Sequence, residues 1–385
     1  MTNNGAKIIT PSADGTTIGI IGGGQLGRMM ALSAREMGYR IAVLEPGADS
    51  PTAQIADIEI NAAYDDKAAL EQLLSVSDVV TYEFENIPYK AIKDLADSGI
   101  GYLPQGHKPL EITQNRLREK RAAVQCGLET APFADVSDED KLRAALADIG
   151  YPCILKTVSG GYDGKGQWRL KSEDDLPQAL EVIKNAECIL EGFVPFDKEV
   201  SVIAVRSTQG EIKTFPVFEN VHLNGILHLT SVPADISDEL SAKAHALAKD
   251  FIAKLDLVGT LAIEMFVQGD NLLINEMAPR PHNSGHLSID ACNVSQFEQH
   301  IRAVCGLPLI EPQTLFPATM VNLLGQHADY AIGLWTHEEF ATGKLHLYGK
   351  SENVRDRKIG HITFCDADSK KLDAKVSVFL KNFPQ

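Results

Sequence analysis

Two glutamates stand inside apolar runs, where a charge needs a reason. Glu264 lies in Thr260-Leu-Ala-Ile-Glu264-Met-Phe-Val, and Glu276 in Leu-Leu-Ile-Asn275-Glu276-Met-Ala. Between the runs, Gln268-Gly269-Asp270-Asn271 is a hairpin signal. Pairing about Asp270 sets each glutamate six residues from the centre, so the two face each other on one side of the ladder. Unpaired like charges so placed destabilise a sheet, and a hard cation such as Mg²⁺ relieves them. A two-residue turn at Gly269-Asp270 would shift this register by one. The alternative is two acids on a solvated face.

A second stretch suits a polyphosphate. The apolar strand Cys153-Ile-Leu-Lys156 runs into Gly160, Gly161, Tyr162, Asp163, Gly164, Lys165, Gly166 and Gln167. Glycine loops expose backbone N–H groups that can wrap phosphates, and Lys156 and Lys165 supply positive charge. The spacing is not that of a Walker A loop. Downstream, the apolar Cys188-Ile-Leu-Glu191 breaks at Gly192-Phe193-Val194, a strand end able to offer backbone groups to a purine. Glu199 follows, placed to accept from ribose hydroxyls or to sit in solvent.

Ile21-Gly22-Gly23-Gly24-Gln25-Leu26-Gly27 is a G-x-G-x-x-G between a strand and a helix, with Glu45 about 20 residues on. Taken alone it points to an NAD-dependent oxidoreductase, but the same fingerprint occurs on domains that hold no dinucleotide. Directly after the glutamate hairpin, Arg280-Pro-His282-Asn283-Ser284-Gly285-His286 is a polar, turn-prone run that reads as a substrate loop or a surface loop. Near the end, Lys350, Arg355, Arg357 and Lys358 put four cations in nine residues. They form a phosphate pocket if the segment folds inward, and a solvated hairpin if it does not.

The elements that must carry these groups follow from periodicity. From Thr16 to about Gln105, apolar runs at TIGIIG, YRIAVLE, IADIEI, DVVTYEF and IGYLP read as strands. Amphipathic stretches such as LGRMMALSAREMG alternate with them, which implies βαβ units on a parallel sheet. Gly38 suits a left-handed helix cap. A helix over about Leu110–Gly127 carries Arg116, Arg118, Lys120 and Arg121. A further helix, DEDKLRAALADIG, leads into the strand at Cys153. KLHLYG and IGHITF read as strands, and KKLDAKVSVFLKNF as a closing helix.

Composition bounds the rest. The chain has 385 residues, enough for two or three domains at ~150 residues each. Apolar residues make up 44% and charged residues 23%, as in globular proteins. Lys+Arg 36 against Asp+Glu 52 gives a net charge of −16, which argues against nucleic acid as a partner. No apolar run approaches the ~20 residues of a membrane span, and the polar first residues lack a signal core and read as a loose tail. Six cysteines without a C-x-x-C pair suit the thiols of a reducing cytosol rather than a zinc site.

Taken together, GGGQLGRM, GGYDGKGQ, NEMAPRPHNSGH and YGK…RKIGHI resemble the ATP-grasp superfamily. Within it the chain is similar to the 5-(carboxyamino)imidazole ribonucleotide synthetase family. Their order, from Gly22 to His361, is more specific than any one of them. Where many ATP-grasp ligases carry Asn, two residues beyond the second metal glutamate, this chain has Ala278. The resemblance implies an α/β and α+β fold. A Rossmann-like domain over residues 16–115 follows the tail at 1–15. A two-lobed ATP-grasp core spans 116–312, with a small lobe near 120–195 and a large one near 196–312. A small C-terminal domain covers 313–385.

The implied reaction is ATP-dependent carboxylation of 5-aminoimidazole ribonucleotide with bicarbonate through carboxyphosphate, in a cytoplasmic homodimer. Arg116 and Lys156 would contact ATP phosphates, under a loop from Gly161 to Gln167 that includes Gly164 and Gly166. Glu191, Gly192, Phe193 and Val194 would hold adenine, Glu199 the ribose, and His222 would lie nearby. Glu264 and Glu276 would bind Mg²⁺, with Asn275 beside the phosphates. Tyr162, Asp163, Lys165 and Arg280 would frame the reacting carboxyl group. Gly24, Gln25, Leu26, Glu83, Arg280, His282, Asn283, Ser284, Lys350 and Arg357 would hold the ribonucleotide side. A sister ATP-grasp ligase, of the formate-dependent transformylase or biotin carboxylase type, would share the ATP residues and differ in the substrate loops.

Overall fold

A computed structural model describes residues 7–161, 165–336, 342–350, 352 and 354–384. Its first sheet is parallel, in the order Ile58–Ile60, Arg40–Leu44, Thr17–Ile21, Val79–Tyr82. The inner strands are short and rich in β-branched residues, buried on both faces as a covered parallel sheet requires. After Thr17–Ile21 the chain builds to one side and then returns to add Val79–Tyr82 on the other. A crevice therefore opens at the carboxyl ends of these two neighbours, the usual ligand position in such sheets. Gly22–Gly27 and Glu83 both stand there.

Three sequence expectations fail locally. Ile100–Pro104 forms no strand: Gly99 and Gly101 take φ of 69° and 75°, and only the Tyr102 carbonyl reaches the sheet, accepting from Val80 N at 2.8 Å. The helix expected over Leu110–Gly127 is two helices, Lys108–Thr113 and Arg116–Gln125. Asn115 is extended between them, and its side chain caps Arg118 N at 3.0 Å. This break starts a new helix at Arg116, whose N–H donates to Val158 O at 2.9 Å. The segment expected to be a loose tail is held at Ile9, whose N–H donates to Cys305 O at 2.8 Å.

The next sheet is antiparallel, in the order Phe133–Val136, Cys188–Gly192, Cys153–Thr157, Gln167–Leu170. Helices Glu139–Ile149 and Leu176–Asn185 cover it through Leu142, Leu146, Ala179 and Ile183.

A nine-stranded sheet forms the rest, running from Asn271–Ala278 and Gly259–Gln268 through Lys198–Arg206 to Lys358–Cys365 and Gly343–Leu347. Val202 and Ala204 face helix Asp238–Lys254, while Ile203 and Val205 face Leu287 and Ala291. That is period-two alternation with both faces buried. The closing helix Ser369–Asn382 packs Leu372, Val376 and Phe379 on the far end of the same sheet. All six cysteines are free thiols. No helix among the described residues is long and apolar enough to cross a membrane.

Candidate active site

The glutamate hairpin does turn at Gly269-Asp270: Gln268 pairs with Asn271 and Met265 with Ile274. Carried straight on, that register would oppose Glu264 to Asn275. A β-bulge intervenes, and beyond it Glu264 pairs with Glu276. The carboxylates therefore do face each other, through a feature the hydrophobic pattern does not encode. Burial, resisted by His222 and reinforced by Glu276 and Glu199, pushes the Glu264 carboxyl up to about 7. Glu276 meets Arg116, Nη1 to Oε2, at 3.2 Å. Two carboxylates on one face, one so reluctant to ionise alone, form a donor set that fits a hard divalent cation.

Both line a cleft of about 470 Å³, enclosed by the antiparallel sheet on one side and the nine-stranded sheet on the other. Lys156, at the end of its strand, reaches in, with Nζ 2.9 Å from Glu191 Oε2. Lys120 Nζ lies 3.6 Å from the same oxygen. Burial alone would raise Glu191, but the two lysines hold it below the ordinary carboxylate range. The cation of Lys156 is thus fixed and its charge only partly spent. Gly192 N and Phe193 N donate to Pro132 O and Pro152 O, so these two N–H groups are spent within the chain. The stacked rings of Phe196 and Phe266, 4.6 Å apart, make an apolar wall. Glu199 and His222 are paired at 2.5 Å; burial lowers the His222 pKa, but that bond and the negative charges of Glu264 and Glu199 together outweigh it and raise the pKa.

The loop after the hairpin enters the same cleft with Arg280, His282 and Asn283. Arg280 is clamped by Glu85, which it meets through both Nε and Nη2. Burial, aided by Arg280, keeps His282 neutral, with its pKa well below the ordinary value. Its Nδ1 accepts from Ser284 N at 3.3 Å, leaving Nε2–H toward Glu264 Oε1 at 3.3 Å. Ser284 does not line the cleft. It is buried behind it, accepting from Ser201 Oγ at 2.8 Å and sitting 2.9 Å from His282 Nδ1. Asn283 is buried with neither side-chain amide atom partnered among the described residues, a donor and an acceptor held ready for a ligand.

At the glycine fingerprint the N–H groups of Gly23, Gly24 and Gly27 are already taken. Gly24 N and Gly27 N donate to the two oxygens of Glu83, and Gly23 N donates to Glu45 Oε2 at 2.7 Å. Gly22, at φ 107°, has no room for a Cβ because Glu83 Cγ occupies it. These glycines admit carboxylates of the chain itself, and a pyrophosphate there would meet two acids. Gly24, Gln25, Leu26 and Glu83 nevertheless line the cleft.

Lys350 and Arg357 lie in an adjoining cavity of about 1060 Å³, together with Lys165 and Arg355. Gln25, Leu227 and Lys358 line both spaces. The cationic segment folds inward: Lys350 Nζ is 2.5 Å from Gln25 Oε1, and Gln54 Nε2 donates to Gly349 O at 2.8 Å. Gly161, Gln167 and Asn275 line the first cleft, whereas Gly166 sits behind it, its carbonyl accepting from Thr157 N at 2.9 Å. Tyr162, Asp163 and Gly164 lie outside the described residues. Sequence reading missed Glu85 and the phenylalanine pair, and Lys358, named there only in the cationic cluster, lines both spaces. Glu85 had a signal, since it follows a parallel strand at its carboxyl end, two residues after Glu83.

Three family models match: a ribonucleotide synthetase preATP-grasp domain over residues 15–114, an ATP-grasp domain over 121–297, and a phosphoribosylaminoimidazole carboxylase C-terminal domain over 318–375. The chain is 51% identical over 359 residues to an N5-carboxyaminoimidazole ribonucleotide synthase of Bacillus subtilis, covering 93% of each. It is 48% identical to one of Brucella melitensis, covering 91% of this chain and 96% of that one. A solved N5-carboxyaminoimidazole ribonucleotide synthetase in complex with ADP superposes with a TM-score of 0.93 at 52% identity, covering 99% and 98%. An enzyme of Aspergillus clavatus, complexed with ADP and 5-aminoimidazole ribonucleotide, superposes at 0.87 with 29% identity, covering 95% and 98%.

Proposed function

The chain belongs to the N5-carboxyaminoimidazole ribonucleotide synthase family, and from that premise we propose how its residues divide the work. It is an ATP-dependent ligase that forms a carbon–nitrogen bond, carboxylating 5-aminoimidazole ribonucleotide in purine biosynthesis. Bicarbonate is the carboxyl donor in this reading. Mg²⁺ is the metal, held by Glu264 and Glu276, and when bound it supplies charge that neutralises phosphate oxygens. The protein works as a homodimer in the cytoplasm, a setting that its six free thiols suit.

Arg116 and Lys156 bind the ATP phosphates, and the segment from Gly161 to Gln167, with Tyr162, Asp163 and Lys165, covers them and excludes water. Water exclusion matters because carboxyphosphate, formed from bicarbonate and the γ-phosphoryl group, hydrolyses readily. Glu191 to Val194 take the adenine, Glu199 the ribose with His222 orienting it, and Asn275 stands beside the phosphates. Arg280, held by Glu85, orients the carboxyl group. His282 donates from Nε2 and keeps Glu264 aligned, while Asn283 offers the ribonucleotide its unpartnered amide. Ser284 supports His282 from behind. Gln25, Glu83, Lys350 and Arg357 hold the ribonucleotide, the last two at its phosphate. Catalysis is then positioning and charge neutralisation.

One observation carries this reading: a single cleft joins the cations at Arg116 and Lys156, the carboxylate pair and the Arg280–Asn283 loop. The test is ADP release measured with and without 5-aminoimidazole ribonucleotide and bicarbonate. Release should require both. Equal release without the ribonucleotide, or with formate in place of bicarbonate, defeats it.

A further inference from the structure

The bulge that brings Glu276 across from Glu264 has an energetic cost. It occurs on Asn271–Ala278, the edge strand of the nine-stranded sheet, and takes Asn275 out of the paired ladder. Backbone groups of a regular strand turn to the same side every second residue. Here Ile274 N and Met277 N, three residues apart, both turn outward. Ile274 N donates to Glu129 O at 2.8 Å, and Met277 N donates to Glu119 Oε1 at 2.5 Å. The carbonyls of Ile274 and Asn275 also turn outward, and Lys120 Nζ donates to both, at 3.1 and 2.8 Å. Glu119 and Lys120 are 1% and 2% exposed, so no water would serve these backbone groups in their place. Left unpaired, each buried backbone group would favour a straight ladder that pairs Glu264 with Asn275.

We propose that Glu119 and Lys120 are positioning residues for Glu276: they cap the backbone groups that the bulge releases and so fix the register that makes the carboxylate pair. Both lie on the helix Arg116–Gln125, whose first residue, Arg116, grips Glu276 itself. The helix thus holds the bulged strand at three points, with the side chain of Arg116 and the backbone ties of Glu119 and Lys120. Lys120 also touches Glu191, which links the register of the metal edge to the nucleotide edge across the cleft. The inference rests on the metal role of the glutamate pair given above.

The experiment is calorimetric titration of the full chain with ADP, with and without Mg²⁺, so that the readout is the gain in affinity that Mg²⁺ brings rather than turnover. Glu119→Ala and Lys120→Met should each cut that gain roughly tenfold or more, while ADP affinity without Mg²⁺ changes less. Glu119→Gln, whose amide oxygen can still accept from Met277 N, should restore it. If Glu119→Ala proves unfolded, Lys120→Met against Glu119→Gln carries the comparison. A folded Lys120→Met or Glu119→Ala protein with the full Mg²⁺ gain overturns the proposal. Glu276→Ala run alongside separates the two readings: should it keep the Mg²⁺ gain, the metal assignment has failed, not the register lock.

Discussion

Two glycine-rich turns follow strands in this protein, and they differ in what their surroundings offer an anion. At Gly22–Gly27 the helix N-terminus points its N–H groups at Glu83, with Glu45 beside it. Burial and the neighbouring Glu45 outweigh the Gly27 and Gly24 hydrogen bonds and raise the Glu83 pKa, so the protein keeps a carboxyl group there at some cost. At the loop entered by Lys156, Arg116 stands at the edge of hydrogen-bond reach of Gly161 O at 3.5 Å, and the two cations are shared with Glu191 and Glu276 rather than facing a carboxylate that fills the loop. The first turn is an anion site filled by its own chain, and the second is bordered by cations. A glycine pattern therefore shows where the backbone can approach something, and the side chains around it decide what that is.

The largest test of this contrast lies at the cation-bordered cleft. Glu276→Ala should lower ATP turnover about 10³-fold, several kcal/mol of charge stabilisation, with circular dichroism unchanged. Turnover at the wild-type rate with the same Mg²⁺ dependence would contradict it. Next, Lys156→Met should raise the ATP KM roughly a hundredfold and leave the ribonucleotide KM nearly untouched, since one charge-assisted hydrogen bond is worth ~1.5–3 kcal/mol. Lys350→Ala and Arg357→Ala should do the converse, raising the ribonucleotide KM ~10- to 100-fold with the ATP KM steady. Steady-state kinetics varying each substrate in turn decides between these patterns. The smallest effects belong to the filled turn. Glu83→Gln should cost about 1–3 kcal/mol in denaturant unfolding, because one glycine N–H then faces a donor. Neither the parent nor this variant should bind NAD⁺ in a calorimetric titration. Micromolar affinity for it would break the contrast.

The sequence carried much of the site. Lys156, Glu264, Glu276 and Arg280 were legible because charge or turn chemistry interrupts apolar periodicity there, and the structure gathers them in one cleft. The parallel sheet followed from apolar runs alternating with amphipathic stretches, and the glutamate hairpin from its turn signal. Failures came where a single backbone angle overrides a pattern: left-handed Gly99 and Gly101 keep Ile100–Pro104 from forming the strand that hydropathy suggests, and an extended Asn115 splits a helix that charge and apolar spacing continue.

What local pattern alone determined is which residue types are available along each element, since periodicity and turn chemistry act over a few neighbours. Partner choice over long separations was decided only in the folded chain. Glu83 reaches Gly24 and Gly27 across more than 50 positions, Glu85 clamps Arg280 across 195, and Lys350 meets Gln25 across 325. The facing of Glu264 and Glu276 belongs with these. The two-residue turn opposes it, and the bulge that restores it is held by backbone hydrogen bonds to Glu119 and Lys120, residues more than 150 positions away. A one-residue register choice moves side chains relative to their partners, and its energy resides in buried polar groups that must all be satisfied at once. That condition exists only when every element is in place.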